Sequence, residues 1–367
     1  MVTRSTESSV TVIVAQGKGA GGSNSPGTQP AEGRMAWGNY AAAAIARVLQ
    51  LSKAALIALA VLLIVGAVFR PEQFLTIGNL HAVLLFWPIV AICAMGQLLA
   101  ILSGGIDLSL AGTFSLVGAC AMMLNAAGVD GITTVTVGLA VGALCGVFNG
   151  FLIGYLRVIP LACTLATLFL FGGIAAWVTG GSTLYGAPEF LRQVVSGGVG
   201  PIPSTVLLGL AILGLATIFV YRTSVGLRIR ALGNLHAIEH VVGVRRSSIQ
   251  VWVYGLAGVL FAVASLIQMG TLNSYYPSGG NDLLLPAVAA AALGGASLKG
   301  GSGSVFGAAI GALVLATVSN VFDLLGLSPE AHQIGIGLVL VVTLLVERWL
   351  NSRRRRLQTQ QKEEQVA

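Results

Sequence analysis

Charge is what this chain has least of. Charged residues make up 9% of its 367 residues and hydrophobic ones 55%, where a soluble protein carries about 25% charged residues. Cysteine is also scarce. Cys93, Cys120, Cys145 and Cys163 are the only four, all inside apolar runs and without metal-ligand spacing. They read as small hydrophobes, with no disulfide framework implied. No G-x-x-x-x-G-K-[ST] phosphate loop occurs, so if ATP drives this protein another chain binds it. A cleavable signal is missing too: Val10–Ala15 is too short for its apolar core, and the first true span doubles as the insertion signal.

What the chain does have is apolar length. A helix needs about 20 apolar residues to cross the hydrocarbon. Runs suited to crossing are 54–69, 83–103, 110–127, 132–153, 161–178, 204–221, 249–269, 284–296, 304–324 and 333–349. The fold class is therefore all-α: a polytopic membrane protein of about ten transmembrane helices, some broken or partial. Of its 20 Lys and Arg residues, all but Arg70 and Arg192 fall on one side of such a membrane. Basic residues cross poorly during insertion. Both termini are thus placed in the cytoplasm, in a multi-pass inner-membrane protein. The net charge of +7 lies in inner loops and tails. It reads as topology and contact with anionic lipid, and nucleic-acid binding is excluded.

Four regions follow. Residues 1–34 are rich in Ser, Thr, Gly and Pro and are expected to be a disordered cytoplasmic tail. Residues 35–53 read as an amphipathic entry segment, with Trp37 and Tyr40 near the headgroups. Residues 54–349 are the transmembrane domain, interrupted by a long basic inner loop at 222–248, and 350–367 are a basic tail. Glycines freed from helix at membrane depth are tolerated only where backbone is buried or lines a watery cavity. Helix breaks are therefore expected near 104–109 and 294–303. Gly104-Gly105-Ile106-Asp107-Leu108-Ser109 and Gly294-Gly295-Ala296-Ser297-Leu298-Lys299 echo one another, hinting at duplication.

Glycine recurs every fourth residue at Gly138, Gly142, Gly146, Gly150 and Gly154, and again at Gly303, Gly307 and Gly311. Each series lies on one helix face and permits close helix approach, either within the chain or at a subunit interface. Asp107 stands at the first break. A carboxylate there serves as a cavity or gate residue, as a proton site, or as a cap on the free N–H groups of the next helix together with Ser109. Polar and aromatic residues inside spans are few: Trp87, Gln97, Asn149, Trp177, Gln268 and Asn320. Rings and amides suit a sugar path, and equally suit interface anchoring and interhelical bonding.

Two pattern matches carry no chemistry. Gly17–Gly22 fits G-x-G-x-x-G but follows no strand and opens no helix. His236-Ala237-Ile238-Glu239-His240 fits H-x-x-E-H, the inverted zinc-protease pattern, in a loop too short to supply a third ligand and an enclosure. The loop that holds it, with Leu235–Val242 as a short surface helix, is either a topology signal or the dock for a cytoplasmic motor.

GQLLAILSGGIDLSLAG (Gly96–Gly112), GLRIRALGN (Gly226–Asn234) with Gly243-Val244, LLLPAVAAAALGGASLKGGSGSVFGAAIGALVL (Leu283–Leu315) and FDLLGLSPEAHQIGIGLVLV (Phe322–Val341) together carry a resemblance. The chain resembles the permease subunit of bacterial ABC importers for monosaccharides, of the ribose, xylose, arabinose and galactose type, from about residue 50 to 350. The resemblance implies a transport subunit and no enzyme. It implies a dimer, with a second copy or a sister permease, two cytoplasmic ABC ATPases and a periplasmic sugar-binding protein. No cofactor is bound by this chain; ATP and Mg belong to the ATPase. By the same resemblance, Gly233, Asn234, Leu235, Ile238, Glu239, Val242 and Gly243 form the coupling contact. Relatives usually carry a Pro-Glu-Ala-Ala-like stretch where this chain has the bulkier His236–Glu239. The substrate path or gate is expected at Trp87, Gln97, Asp107, Asn149, Gln268 and Asn320. The rival classes are an ion-coupled secondary transporter, which needs several ionisable groups at mid-membrane, and a membrane-embedded enzyme, which needs a cluster of His, Asp or Glu at one depth.

Overall fold

A computed structural model describes residues 53–200, 202–234, 246–328, 330–338, 341–342 and 345. The tails at 1–34 and 350–367, and the loop residues Leu235, Ile238, Glu239, Val242 and Gly243, lie outside the described residues.

The helices follow the apolar runs closely. They are α1 (Lys53–Phe69), α2 (Pro71–Phe74), α3 (Ile77–Leu102), α4 (Leu110–Ala126), α5 (Gly131–Gly154) and α6 (Pro160–Thr179). After these come α7 (Glu189–Ser196), α8 (Ser204–Arg222), α9 (Ser224–Asn234), α10 (Arg246–Leu272), α11 (Asn281–Leu293) and α12 (Val305–Leu324). Residues 330–338 are helical as well. Among the described residues, α3, α5, α6, α8, α10 and α12 are long and apolar enough to cross a membrane; α1, α4 and α11 are shorter apolar helices. The observed fold is an all-α polytopic membrane protein.

Local chemistry sets the helix starts. The Thr76 hydroxyl accepts the Asn79 N–H at the start of α3, the Asp130 carboxylate accepts those of Ile132 and Thr133 at α5, and the Ser304 hydroxyl accepts that of Gly307 at α12. Each satisfies donors that a first turn leaves unpaired.

Helix α3 is central, packing against α10, α12, α11 and α8. Its half from Pro88 to Leu102 is buried without a break, as expected of a helix that is apolar all round. Helix α5 lies along α10 through its glycine stripe. A Cβ on Gly146 would overlap the Tyr254 carbonyl oxygen, and one on Gly154 would come within 2.6 Å of the Ser247 carbonyl oxygen. This series thus serves packing within the chain. The outer helices differ. In α6 and α8, Phe169, Trp177 and Leu215 are 69%, 83% and 68% exposed, which suits contact with lipid tails as apolar as themselves.

The connection between α6 and α8 is more ordered than its polar sequence suggests. Strand β1 (Leu184–Tyr185) pairs antiparallel with β4 (Ser274–Tyr275), and β2 (Gly198–Val199) with β3 (Ile202–Pro203). Leu191 and Val195, one turn apart on α7, are buried and lie against Gly270 of α10.

Both predicted breaks occur. Gly104 (φ 88°) and Gly295 (φ 87°) take left-handed conformations that favour glycine. Their hydrogen bonds match. The Gly104 N–H donates to Ile101 O and that of Gly105 to Ala100 O, at 2.9 and 3.0 Å; the Gly295 N–H donates to Ala292 O and that of Ala296 to Ala291 O, at the same distances. The two ends thus share one turn geometry, with Gly104 matching Gly295 and not Gly294, but the helices ending at Gly128 and Gly326 close with the same pair of bonds, so the match is that of a common helix end and carries no duplication.

Candidate functional site

The two breaks meet at the end of the bundle that carries Arg157, Arg222, Arg228, Arg230, Arg246 and Lys299, here the basic end. The Gly301 N–H donates to Leu102 O at 3.1 Å. A Cβ on Gly300 would lie 2.9 Å from Gly104 Cα. The last turn of α9 joins them, because a Cβ on Gly233 would overlap both the Leu102 carbonyl oxygen and the Gly301 backbone nitrogen. Thus Gly233 and Asn234, expected in the coupling contact, end a helix that rests on both breaks.

Three expected path residues converge on the first break. Gln97, Asp107, Ser109 and Asn149 are 0–1% exposed. The Gln97 amide brackets the Asp107 backbone, its N–H donating to Asp107 O at 3.0 Å and its carbonyl accepting from Asp107 N at 3.1 Å. Asp107 Oδ1 accepts from Ser109 N at 2.9 Å and Ser109 Oγ at 2.6 Å. Ser109 Oγ in turn accepts from Asn149 Nδ2 at 2.7 Å. Thr164 Oγ1 donates to Ile106 O at 3.1 Å, and Ser103 Oγ donates to Gln250 Oε1 at 3.2 Å. Helices α3, α5, α6 and α10 therefore all hold the segment between α3 and α4. The result is a closed polar clasp, not an open channel.

The cap reading of Asp107 needs correction. Its carboxylate takes the N–H of Ser109, one residue before α4, and Ser109 makes no side-chain capping bond to the helix. The Ser109 hydroxyl is already engaged by Asp107 and Asn149. Burial pushes the Asp107 carboxyl, outside the spanning helices, up to about 6, against the opposing pull of the two Ser109 bonds.

The other expected residues lie elsewhere. Trp87 Nε1 donates to Ala309 O at 2.9 Å and ties α3 to α12. Asn320 and Asn79, at the opposite end of these helices, exchange amide hydrogen bonds at 2.7 and 3.0 Å. Asn320 also lines a cavity of about 640 Å³ at that far end. Gln268 lines a separate small cavity with Ser265, Tyr275 and Tyr276. Sequence reasoning missed Ser109 as the hub of the clasp and Asn79 as the partner of Asn320. Ser109 stood inside the Gly-Gly-Ile-Asp-Leu-Ser motif; Asn79 carried no signal beyond being an amide near a helix start.

Known proteins share this arrangement of sequence. Residues 79–344 match the family described as branched-chain amino acid transport system / permease component. The chain belongs to this permease family. The ribose import permease protein RbsC of Escherichia coli K12 is 34% identical over 80% of this chain and 92% of its own. The probable ABC transporter permease protein y4mJ of Sinorhizobium fredii is 30% identical over 80% and 88%. The autoinducer 2 import system permease protein LsrD of Klebsiella pneumoniae is 33% identical over 70% and 79%. No solved structure gives a significant match. The chain is thus the permease subunit of an ABC importer in a bacterial inner membrane, a transport component and not an enzyme.

Proposed function

We propose that this permease imports a monosaccharide or similar small polyol. The observation that carries the reading is similarity to ribose permeases along 92% of the length of the Escherichia coli one. The polar, hydroxyl-matching groups at the far end of the bundle agree with such a solute. In this reading a periplasmic sugar-binding protein delivers the solute, and cytoplasmic ABC ATPases bind ATP and Mg. Two permeases, identical or sister chains, face one another within the lipid.

Both termini are placed in the cytoplasm, about ten helices cross the membrane, and the basic end faces inward. Residues 54–349 then form the transmembrane domain, preceded by the tail and entry segment and followed by the basic tail. The segment 222–248 is the coupling loop. Its residues Leu235, Ile238, Glu239, Val242 and Gly243 would seat on the ATPase, and α9 would carry the motion to the clasp through Gly233. The clasp of Gln97, Asp107 and Asn149 would be the inner closure of the path, with Asn320 on its outer side; Trp87 and Gln268 would line the route between.

The test is reconstitution. With its ATPase and binding protein, the chain should accumulate D-ribose or a related sugar only while ATP is hydrolysed. Alone in liposomes it should neither hydrolyse ATP nor accumulate sugar. Accumulation by the chain alone, driven by a proton or sodium gradient, would show an ion-coupled transporter instead.

A further inference from the structure

The far-end cavity lies between α3, α11, α12 and the helical segment 330–338, and its volume of about 640 Å³ falls within the range of about 300–1,000 Å³ usual for small-molecule sites. Its wall is mixed. Phe86, 39% exposed, offers an aromatic face. Asp282, Asn320, Asp323 and His332 bring polar groups from three separate elements.

Asp282, Asn320 and Asp323 keep capacity for a ligand. Asp282 Oδ2 accepts from Tyr276 Oη at 3.2 Å, which leaves its second oxygen for another donor. Burial first, then the Asp282 carboxylate, push the Tyr276 hydroxyl up to about 12 and keep it a donor. The Asn320 amide spends one N–H and one lone pair on Asn79 and retains one of each. Asp323 Oδ1 lies 3.5 Å from His332 Nε2, and the His332 ring stacks on Phe322 at 5.4 Å between centroids, which fixes the imidazole. Vicinal hydroxyls donate in pairs to carboxylates, an amide answers a hydroxyl in either sense, and the C–H face of a sugar ring lies against an aromatic ring.

Charge narrows the ligand further. Two carboxylates line the cavity, and among the described residues no Lys or Arg does. A phosphate or carboxylate on the solute would meet like charge at the cavity wall. We infer that this cavity is a subsite for an uncharged polyol, which admits neutral sugars and rejects phosphorylated or acidic ones. The inference rests on the sugar-import reading and adds to it a location and a charge rule.

The test uses cells that carry the complete importer, with Ser319→Cys as reporter, since Ser319 lines the cavity. A membrane-impermeant maleimide is applied from outside. The introduced thiol should label, and millimolar D-ribose, D-xylose or D-galactose should slow labelling at least threefold, while ribose 5-phosphate should not. Asp282→Asn combined with Asp323→Asn should raise the half-protecting sugar concentration about tenfold. Gln333→Cys, on the facing segment, is a second reporter should Ser319→Cys fail to fold. The inference is overturned by absent external labelling of both reporters, by no protection from any of the three sugars, or by equal protection from ribose 5-phosphate. Uptake of radiolabelled sugar by the wild-type importer runs in parallel. Uptake without protection removes the cavity and leaves the import reading. No uptake of any sugar while ATP is hydrolysed removes the reading itself.

Discussion

Gly233 rests against the carbonyl oxygen of Leu102, with no space between them for a side chain. The contact links the last turn of α9 to the point where α3 stops. Gly233→Ala must push the two backbones apart. Overpacking of this kind costs about 1–3 kcal/mol. The purified variant should melt at lower temperature and transport less. Equal thermal stability and full uptake would show that the contact tolerates a methyl group and is no tight joint.

Asp107 serves the clasp as an acceptor for the Ser109 N–H and hydroxyl. An amide oxygen can accept both, so Asp107→Asn should express normally and keep much of the uptake. Asn149→Ala removes the donor to Ser109 Oγ, which still donates to Asp107, and should cost about 0.5–1.5 kcal/mol, the net worth of one hydrogen bond. Normal expression of Asp107→Asn with abolished uptake would favour a role for the charge itself, as gate or proton site.

The buried carboxyl also predicts a pH dependence. Its value in the fold, about 6, lies above the ordinary 3.8. Below about 4 both folded and unfolded chains hold the proton, and Asp107 costs nothing. Between about 4 and 6 the unfolded chain ionises first, so the stability contributed by this group falls as pH rises, and it levels off above. Melting curves of the wild type and Asp107→Asn from pH 4 to 7.5 should diverge across that window, the wild type losing ground. A constant difference would contradict the assignment.

A paired substitution separates packing within the chain from packing between chains. Gly146 abuts Tyr254, whereas a methyl group on Gly173 would meet nothing within 4 Å. Gly146→Ala should destabilise the monomer in detergent. Gly173→Ala should leave it unchanged or improve it by about 0.5–1 kcal/mol, through the lower backbone entropy of alanine in a helix. If Gly173→Ala spares the monomer but disrupts a cross-linked permease dimer, α6 is the subunit face.

The coupling loop makes its own prediction. Leu235, Ile238 and Val242 recur at spacings of three and four and would share one helical face. Burying such a side chain is worth about 1.5–3 kcal/mol. Ile238→Asp should weaken co-purification of the ATPase and leave membrane insertion intact, while His236→Ala and His240→Ala should matter far less. Undiminished ATPase retention, or stoichiometric zinc lost with either histidine, would mean the loop has another role.

Much of the fold was legible because lipid simplifies the code. Apolar length marked the helices to within a few residues at most ends, and paired glycines marked both breaks. The glycine stripe of α5 could be placed on one face but not against a named partner, since the period fixes a face and says nothing of what covers it. Convergence of Gln97, Asp107 and Asn149 was not legible for the same reason: they come from separate parts of the chain, and sequence does not report how helices rotate relative to one another. The ordered 184–203 connection escaped notice because its strands are two residues long and its helix signal is a single pair, Leu191 and Val195. The cavity residues Asp282, Asp323 and His332 carried no signal in the sequence, because only the packing of α11, α12 and the segment 330–338 sets them around one space.

The seam between the two breaks is made of main chain. The Gly301 amide bonds the Leu102 carbonyl, and glycines at 104, 233 and 300 bring the backbones within reach. Among the described residues the contacts just named are between main-chain atoms, which do not titrate, so neither acid nor salt should loosen them. Only mechanical pull along α9, or loss of a glycine, should open the seam.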